Sequence, residues 1–575
     1  MEYKELVNAY EELESTSKRL HKTYIISELL KKTSTDHVEK VVLLLRGRVF
    51  ASGDSQELGI SNKLLLKSIS IVSGSNISDL ENLWREIGDL GLVTEKVFSS
   101  KSQSTLFKQT LDVSFVFDTL RKLAITQGQG STDQKVKLVS SLLSSAEPKE
   151  AKYIVRTVLQ DLRVGVAEGT LRDAIAWAYL TNPNYDENAH SISPDREEYN
   201  KILEVLQSAI DKTNDYGLIV KLAKKGLAEL EKVKMILGQP IKVMLAQRSS
   251  LTTAFSSVGK PAAFEYKLDG FRLQVQKDDD EVKLFTRRLE DVTKQFPDIE
   301  EVVKKNVKAK NCILDCEAAG FNPITKKYTP FQSISQRIKR KHEVHNLIKK
   351  LPIEINVFDI LYLEGEEYIN QPFSKRREKL SQIITQKERL IVLTKQIVTE
   401  SEKEVEKFFQ QSLNLGNEGL MAKSLSSTYK PGSRVGSMVK IKPHMDELDL
   451  VIVKAEWGTG KRSGWLTSFT VACGDRDSLF EIGKVGTGLK EKKEEGLSFE
   501  ELTELLRPLI SKQKGREIEV TPKIVVSLRF EEIQKSPSYS SGYALRFPRV
   551  IALREDKDLE DIATLKEVED TYKQQ

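Results

Sequence analysis

Apolar and polar residues change their rhythm twice along the chain. Up to about Gly238 the repeat is helical: Ile154, Val155, Val158, Leu159 and Leu162 recur at the spacing of one helix face, and Val113 to Leu123 reads as another helix. Polar breaks such as Gly128-Gln129-Gly130 and Asn182-Pro183-Asn184 separate these helices, and Gly165 and Gly169 punctuate two more. Near Pro240 the texture becomes strands alternating with helices, and it stays so to Pro443. Beyond His444-Met445-Asp446-Glu447, glycine-rich turns divide short strands such as Leu448 to Lys454 and Phe469 to Cys473, which predicts a small β-barrel. The expected architecture is an all-α domain over 1–238, an α/β (α+β) domain over 239–443 and a β-barrel domain over 444–575.

The sharpest alternation surrounds Lys267-Leu268-Asp269-Gly270-Phe271-Arg272. Phe264, Tyr266 and Leu268 share one face of a strand, and Glu265, Lys267 and Asp269 share the other. After Gly270 the apolar set is Phe271, Leu273 and Val275, so Gly270 reads as the turn of a hairpin that points Lys267 and Arg272 at one ligand. Taken alone, the hexamer also fits an ordinary charged hairpin.

Composition narrows the classes. The 575 residues suit several cores, and a net charge of +5, from 89 Lys and Arg against 84 Asp and Glu, does not by itself mark a nucleic-acid protein. The three cysteines, Cys312, Cys316 and Cys473, cannot all pair and lack metal-ligand spacing, which fits a reducing compartment. The six histidines are dispersed apart from His342 and His345, which argues against zinc. Without a signal-like start or a membrane-length apolar run, a soluble, cytoplasmic, nucleoid-associated monomer is expected.

Further segments follow the hexamer in order. Leu284-Phe285-Thr286-Arg287-Arg288 is a strand ending in two cations, and Ile313-Leu314-Asp315-Cys316-Glu317 brings two carboxylates to one face, suited to a ribose hydroxyl or a hard cation. Ile355 to Tyr362 carries Phe358, an aromatic able to stack on a purine or simply to fill the core. Glu418-Gly419-Leu420-Met421-Ala422-Lys423 adds a carboxylate and an amine. Met438-Val439-Lys440-Ile441-Lys442-Pro443 sets Lys440 and Lys442 on one strand face, suited to a triphosphate or to a solvated edge.

This ordered series resembles the motifs of ATP-dependent DNA ligases of the archaeal and eukaryotic replicative type. The resemblance extends to Gly128-Gln129-Gly130-Ser131 and Leu159 to Gly169, similar to the family's DNA-binding domain. It continues to Glu532 to Pro537, Ser541 to Arg549 and Arg554-Glu555-Asp556-Lys557, similar to its oligonucleotide-binding (OB) fold. It implies an all-α DNA-binding domain, a nucleotidyltransferase domain and a β-barrel OB-fold domain, although the strand pattern alone also allows another small barrel. It implies that Lys267 attacks the α-phosphate of ATP and retains AMP, which then passes to the 5′-phosphate of nicked double-stranded DNA before the strand is sealed. Glu265 would read the adenine edge, Phe358 would stack on the base, and Glu317 would bind ribose. Arg272, Arg287, Lys440, Lys442, Arg554, Asp556 and Lys557 would serve the phosphates, and Glu317 and Glu418 would place Mg2+ or Mn2+. Arg272, Lys440 and Lys442 are expected to supply the cationic field that activates Lys267. DNA contacts are expected from Arg163, Gly165, Gly169, Arg172, Arg546 and Arg549. Gln103-Ser104-Thr105-Leu106-Phe107 resembles the family's motif for a sliding clamp, with Gln103, Leu106 and Phe107 as anchors, unless the two apolar residues simply begin the next helix. Met438, where many members carry tryptophan, and Val526-Ser527-Leu528 depart from the pattern. The alternatives are an RNA ligase or mRNA-capping guanylyltransferase, against which the long helical region argues, and a noncatalytic DNA-binding scaffold, against which the intact Lys267, Arg272, Glu317, Glu418, Lys440 and Lys442 argue.

Overall fold

Among the described residues up to Glu231 helices predominate, beside one small antiparallel pair, Tyr185–Asp186 with Ser191–Ile192, and the helix ends follow from local sequence. Asp195 and Asp215 each accept two backbone N–H groups at the starts of helices Arg196–Thr213 and Tyr216–Lys225, and the second helix ends on Lys224 and Lys225. The helix expected through Leu162 is Pro148–Val158. It stops there because Gln160, Arg163 and Gly165 take positive φ of 54°, 61° and 65°, and the next helix is Glu168–Tyr179. These features come from a computed structural model that describes residues 1–575 apart from 52–55, 57, 101–109, 129, 193–194, 323, 326, 330–333, 335–336, 338–347, 444–445, 475–477, 492–493, 495 and 575.

The chain groups into two units. The first comprises 1–60, 109–135 and 157–443, and the second 61–108, 136–156 and 444–575, so the first 238 residues contribute to both.

In the first unit, the two larger sheets among the described residues are built from the short Glu366–Glu367 and from ten further strands. They are β1 (Leu245–Ser249), β2 (Ala262–Lys267), β3 (Phe271–Asp278), β4 (Glu281–Thr286), β5 (Asn311–Gly320), β6 (Ile353–Leu363), β7 (Ile391–Leu393), β8 (Gln396–Thr399), β9 (Gly419–Ser424) and β10 (Arg434–Ile441). One sheet runs β7-β6-β5-β3-β4, with the short strand Glu366–Glu367 beside β6, and the other runs β8-β2-β9-β10-β1. The expected hairpin is therefore corrected: β2 and β3 do not pair, and Asp269-Gly270 carries the chain from one sheet to the other. Gly270 is needed for closeness, since a Cβ there would lie 2.4 Å from the Ala318 carbonyl oxygen.

Leu273, Val275, Leu314 and Val357 pack beneath the first sheet. Phe264, Tyr266, Phe408 and Val439 pack beneath the second. A third cluster joins residues of both, including Ile313, Leu361, Tyr429 and Met438, so Met438 is a core residue at 4 % exposure.

The second unit is built on β11 (Asp446–Trp457), β12 (Leu466–Gly474), β13 (Leu479–Val485), β14 (Ile510–Lys514), β15 (Glu517–Val520), β16 (Val525–Phe530), β17 (Glu532–Lys535), β18 (Tyr543–Arg546) and β19 (Arg549–Leu553). The long β11 serves as spine: it pairs with β12, with β15 near its end and with β16 near its start, and β16 pairs in turn with β19. Helices Asn62–Ser73, Ile77–Ile87 and Leu90–Ser99 belong to the same unit, where Gly88, at φ 73°, lies against Thr459. Among the described residues no helix is long and apolar enough to cross a membrane.

Candidate active site

Alternation on β2 turns Lys267 to the face opposite Tyr266. The Glu418 amide donates to the Lys267 carbonyl at 2.8 Å, fixing the approach to β9 beside the end of β2. The Lys267 amine then donates to Glu418 Oε2, which also receives Lys442 Nζ at 2.8 Å. Burial alone would raise the Glu418 carboxyl, but Lys267 and Lys442 hold it down to about 2. Glu317, on β5, sits in register with Arg272 on β3 and Asn356 on β6. Its half-buried carboxyl is pushed up to about 7 by burial, against the pull of Lys267 and Arg272. No described residue forms a close ion pair with it.

Arg272 is committed elsewhere. Its Nε donates to Asp315 Oδ1 at 2.8 Å and its Nη1 to the Met244 carbonyl at 2.6 Å. The Tyr429 hydroxyl completes the set: it donates to Asp315 Oδ2 at 2.7 Å, and it accepts from the Met244 amide at 3.0 Å and from Arg272 Nη2 at 3.3 Å. Phe358 is the extra residue of a bulge, since Asp315 pairs with Asp359 and Cys316 with Val357. That bulge leaves its ring half-exposed within a buried strand, 5.2 Å from the Arg272 guanidinium and 4.7 Å from the Lys423 amine.

Two expectations change. The field around Lys267 is not purely cationic, because Arg272 is paired with Asp315 and Lys442 shares Glu418 with Lys267. Glu265 is 1 % exposed and occupied: it accepts from Gln396 at 2.9 Å and from Arg377 at 3.4 Å, and it forms an ion pair with Lys423 at 2.6 Å. In this state it holds Lys423 rather than facing an open pocket. Arg287 is exposed after β4, and Lys440 is half-buried on β10.

The expected DNA-contact residues fall into both units. In the first, Arg163 pairs with Asp161 at 2.7 Å, and Arg172 donates to Asp173 and to Gln207 at 2.9 Å each. Gly165 makes room for Lys22, whose amine donates to the Val164 carbonyl, and Gly169 lies near Arg19. In the second unit Arg546 pairs with Glu532 at 2.8 Å, and Arg549 is exposed on β19. Arg554 joins Asp556 to Asp449, and Lys557 reaches Asp449 at 2.7 Å. The Asp556 carboxyl is held down to about 2 by the Arg554 hydrogen bond. Gln103, Leu106 and Phe107 lie outside the described residues.

Sequence reasoning missed Tyr429 and Lys22, and did not rank Asp315 or Lys423 as site residues. Tyr429 stands in a turn-rich stretch, Thr428 to Gly432, with no periodicity to single it out.

Comparison with known proteins gives the family. The DNA ligase N terminus family matches residues 2–176, the ATP dependent DNA ligase domain 243–442, and the ATP dependent DNA ligase C terminal region 462–557. A DNA ligase of Nanoarchaeum equitans is 46% identical, covering 100% of this chain and 99% of its own length. That of Thermococcus fumicolans is 40% identical over 100% and 98%. The solved structure named Pmar-Lig_PreS3 shares the fold, with TM-score 0.57 and 17% identity over 96% of this chain and 99% of its own. With lysines and carboxylates gathered at the end of β2 and relatives aligned from end to end, the chain belongs to the ATP-dependent DNA ligases.

Proposed function

We propose that this DNA ligase captures AMP on Lys267 and that the residues gathered around Glu418 carry out the transfer. The observation that carries the reading is the convergence of Lys267 and Lys442 on the one Glu418 carboxylate. Glu418 orients the lysine. As Lys267 Nζ bonds to the α-phosphorus of ATP the amine releases its protons by way of Glu418 Oε2 to solvent, the bond to the leaving pyrophosphate breaks in line, and Lys442 and Lys440 offset charge on the phosphates. Arg272, held in place by Asp315 and Tyr429, presents its guanidinium beside Phe358, the candidate stacking surface for the base. Arg287, Glu265, Arg554, Asp556 and Lys557 complete the nucleotide set, the last three by orienting pyrophosphate.

In the second step AMP passes to the 5′-phosphate at a nick. In the third the 3′-hydroxyl displaces it. Neither demands a strong protein base. The residues fit a divalent cation: Glu317 is a half-buried carboxylate with no close ion pair among the described residues, and Mg2+ is commonly held by one or two carboxylates together with substrate phosphates. Glu317 and Glu418 would hold it, and it would supply charge neutralisation at the phosphates in transfer. The DNA set is Arg163, Gly165, Gly169, Arg172, Arg546 and Arg549. A sliding clamp engaged by Gln103, Leu106 and Phe107 and a monomeric state complete the reading, the clamp supported by sequence alone.

The test is Lys267→Ala. With radiolabelled ATP the variant takes up no AMP and seals no ordinary nick, yet it seals a nick that already carries AMP on its 5′-phosphate. Labelling at wild-type stoichiometry would remove Lys267 from the role.

A further inference from the structure

Past β19 the chain runs from Arg554 to Thr564 without helix or strand, so a few specific bonds decide where its side chains point. Asp449, on the spine strand β11, makes several of them. Its carbonyl accepts the Ala563 amide at 2.9 Å, and its Oδ2 accepts both Arg554 Nη1 at 2.9 Å and Lys557 Nζ at 2.7 Å. Asp449 Oδ1 is buried and has no hydrogen-bond partner, so the carboxylate is satisfied through the one shared oxygen. Across the ladder to β16 Asp449 faces Ser527, which brings no charge. On the same strand the Val525 carbonyl accepts the Arg554 amide at 2.9 Å.

The charges make this arrangement depend on Asp449. Arg554 and Lys557 reach the same oxygen, and two cations so close repel unless a counter-charge lies between them. Asp556 does not supply it. Its carboxylate takes the other edge of the guanidinium, from Nε at 2.9 Å and Nη2 at 2.7 Å, and it is exposed. Asp556 therefore ties Arg554 to its own turn, whereas Asp449 ties that turn to the sheet. All of these residues belong to the second unit, so the cluster is complete within it.

We propose that Asp449 is a positioning residue for the first step: it touches no reacting atom, and it aims Arg554 and Lys557 together at the leaving pyrophosphate. The proposal rests on the reading of Arg554, Asp556 and Lys557 as the residues that orient pyrophosphate. A positioning group displaced by about 1 Å can cost a factor of about a hundred in rate, so lost aim is read in kinetics.

The experiment uses the full chain as wild type, Asp449→Asn, which keeps the shape and loses the charge, Asp449→Glu and Lys557→Ala. Four quantities are measured: single-turnover uptake of AMP from radiolabelled ATP, release of that AMP by added pyrophosphate, sealing of a pre-adenylated nick, and melting temperature. In Asp449→Asn uptake and pyrophosphate-driven release should both slow by about tenfold or more and by the same factor, because the two directions share one transition state. Asp449→Glu should recover part of the rate, with sealing of the pre-adenylated nick and melting temperature near wild type in both variants. A slowed Lys557→Ala beside an Asp449→Asn that takes up AMP at the wild-type rate overturns the proposal and leaves the pyrophosphate reading standing. Lys557→Ala at the wild-type rate removes that reading, and the proposal with it. A uniform loss of uptake, sealing and melting temperature in Asp449→Asn also overturns the proposal, since it makes the carboxylate structural.

Discussion

Tyr429 gives Arg272 its fixed direction. Its hydroxyl meets Asp315, Arg272 and the Met244 amide at once, so Tyr429→Phe leaves three buried groups short of a partner at about 1–3 kcal/mol. The expected outcome is an adenylylation rate reduced by about tenfold or more with a smaller effect on sealing of a pre-adenylated nick, read by single-turnover kinetics. A fall in melting temperature with both rates unchanged would make the hydroxyl merely structural. Glu317 yields a pH prediction. Its folded value of about 7 lies above the ordinary carboxylate value, so its neutral form favours folding: that contribution is full below the ordinary value and is lost as pH rises through 7. Metal binding needs the ionised form, which is about a tenth populated at pH 6 and about nine-tenths at pH 8. The Mg2+ concentration for half-maximal adenylylation should therefore be roughly tenfold higher at pH 6 than at pH 8, and Glu317→Gln should flatten that dependence. A slope retained in the variant would assign the titration to another group.

At the scale of elements, the strands carrying the site were legible from their apolar runs: Asn311–Gly320 and Ile353–Leu363 contain the predicted segments, and Arg434–Ile441 contains Met438 to Ile441 but ends before Lys442. Which strands pair was not legible. Nothing local says that Phe271 begins a strand of the other sheet, because that depends on Gly270 fitting against the Ala318 carbonyl across the fold. The bulge at Phe358 was equally hidden, since a bulge is a property of two strands. The segment after Val158 illustrates a third limit: its apolar spacing continues the helix, but its backbone turns left-handed at Gln160 and Arg163. That turn carries Arg163, which pairs with Asp161 at 2.7 Å. Arg163→Ala should weaken nicked-DNA binding and lower the slope of log affinity against log salt by about one, with self-adenylylation intact, as measured by filter binding across a salt series. An unchanged slope would return Arg163 to a purely conformational role.

For the whole molecule, the clamp reading is separable from catalysis. Leu106→Ala with Phe107→Ala should abolish stimulation by the clamp and leave clamp-free ligation and melting temperature near wild type, whereas a large loss of melting temperature would make the pair core residues. The interleaving of the two units has a further consequence, felt before the protein is finished. Residues 61–108 and 136–156 share a unit with 444–575, and residues 157–443 must be added between them. At about 5–20 residues per second, a ribosome needs roughly 15–60 s for that interval. Throughout it Leu65, Leu66, Ile69 and Leu80, all buried in the completed fold, belong to a unit whose barrel does not yet exist. The second unit therefore waits, over about half of the chain's synthesis, for the strands that complete it.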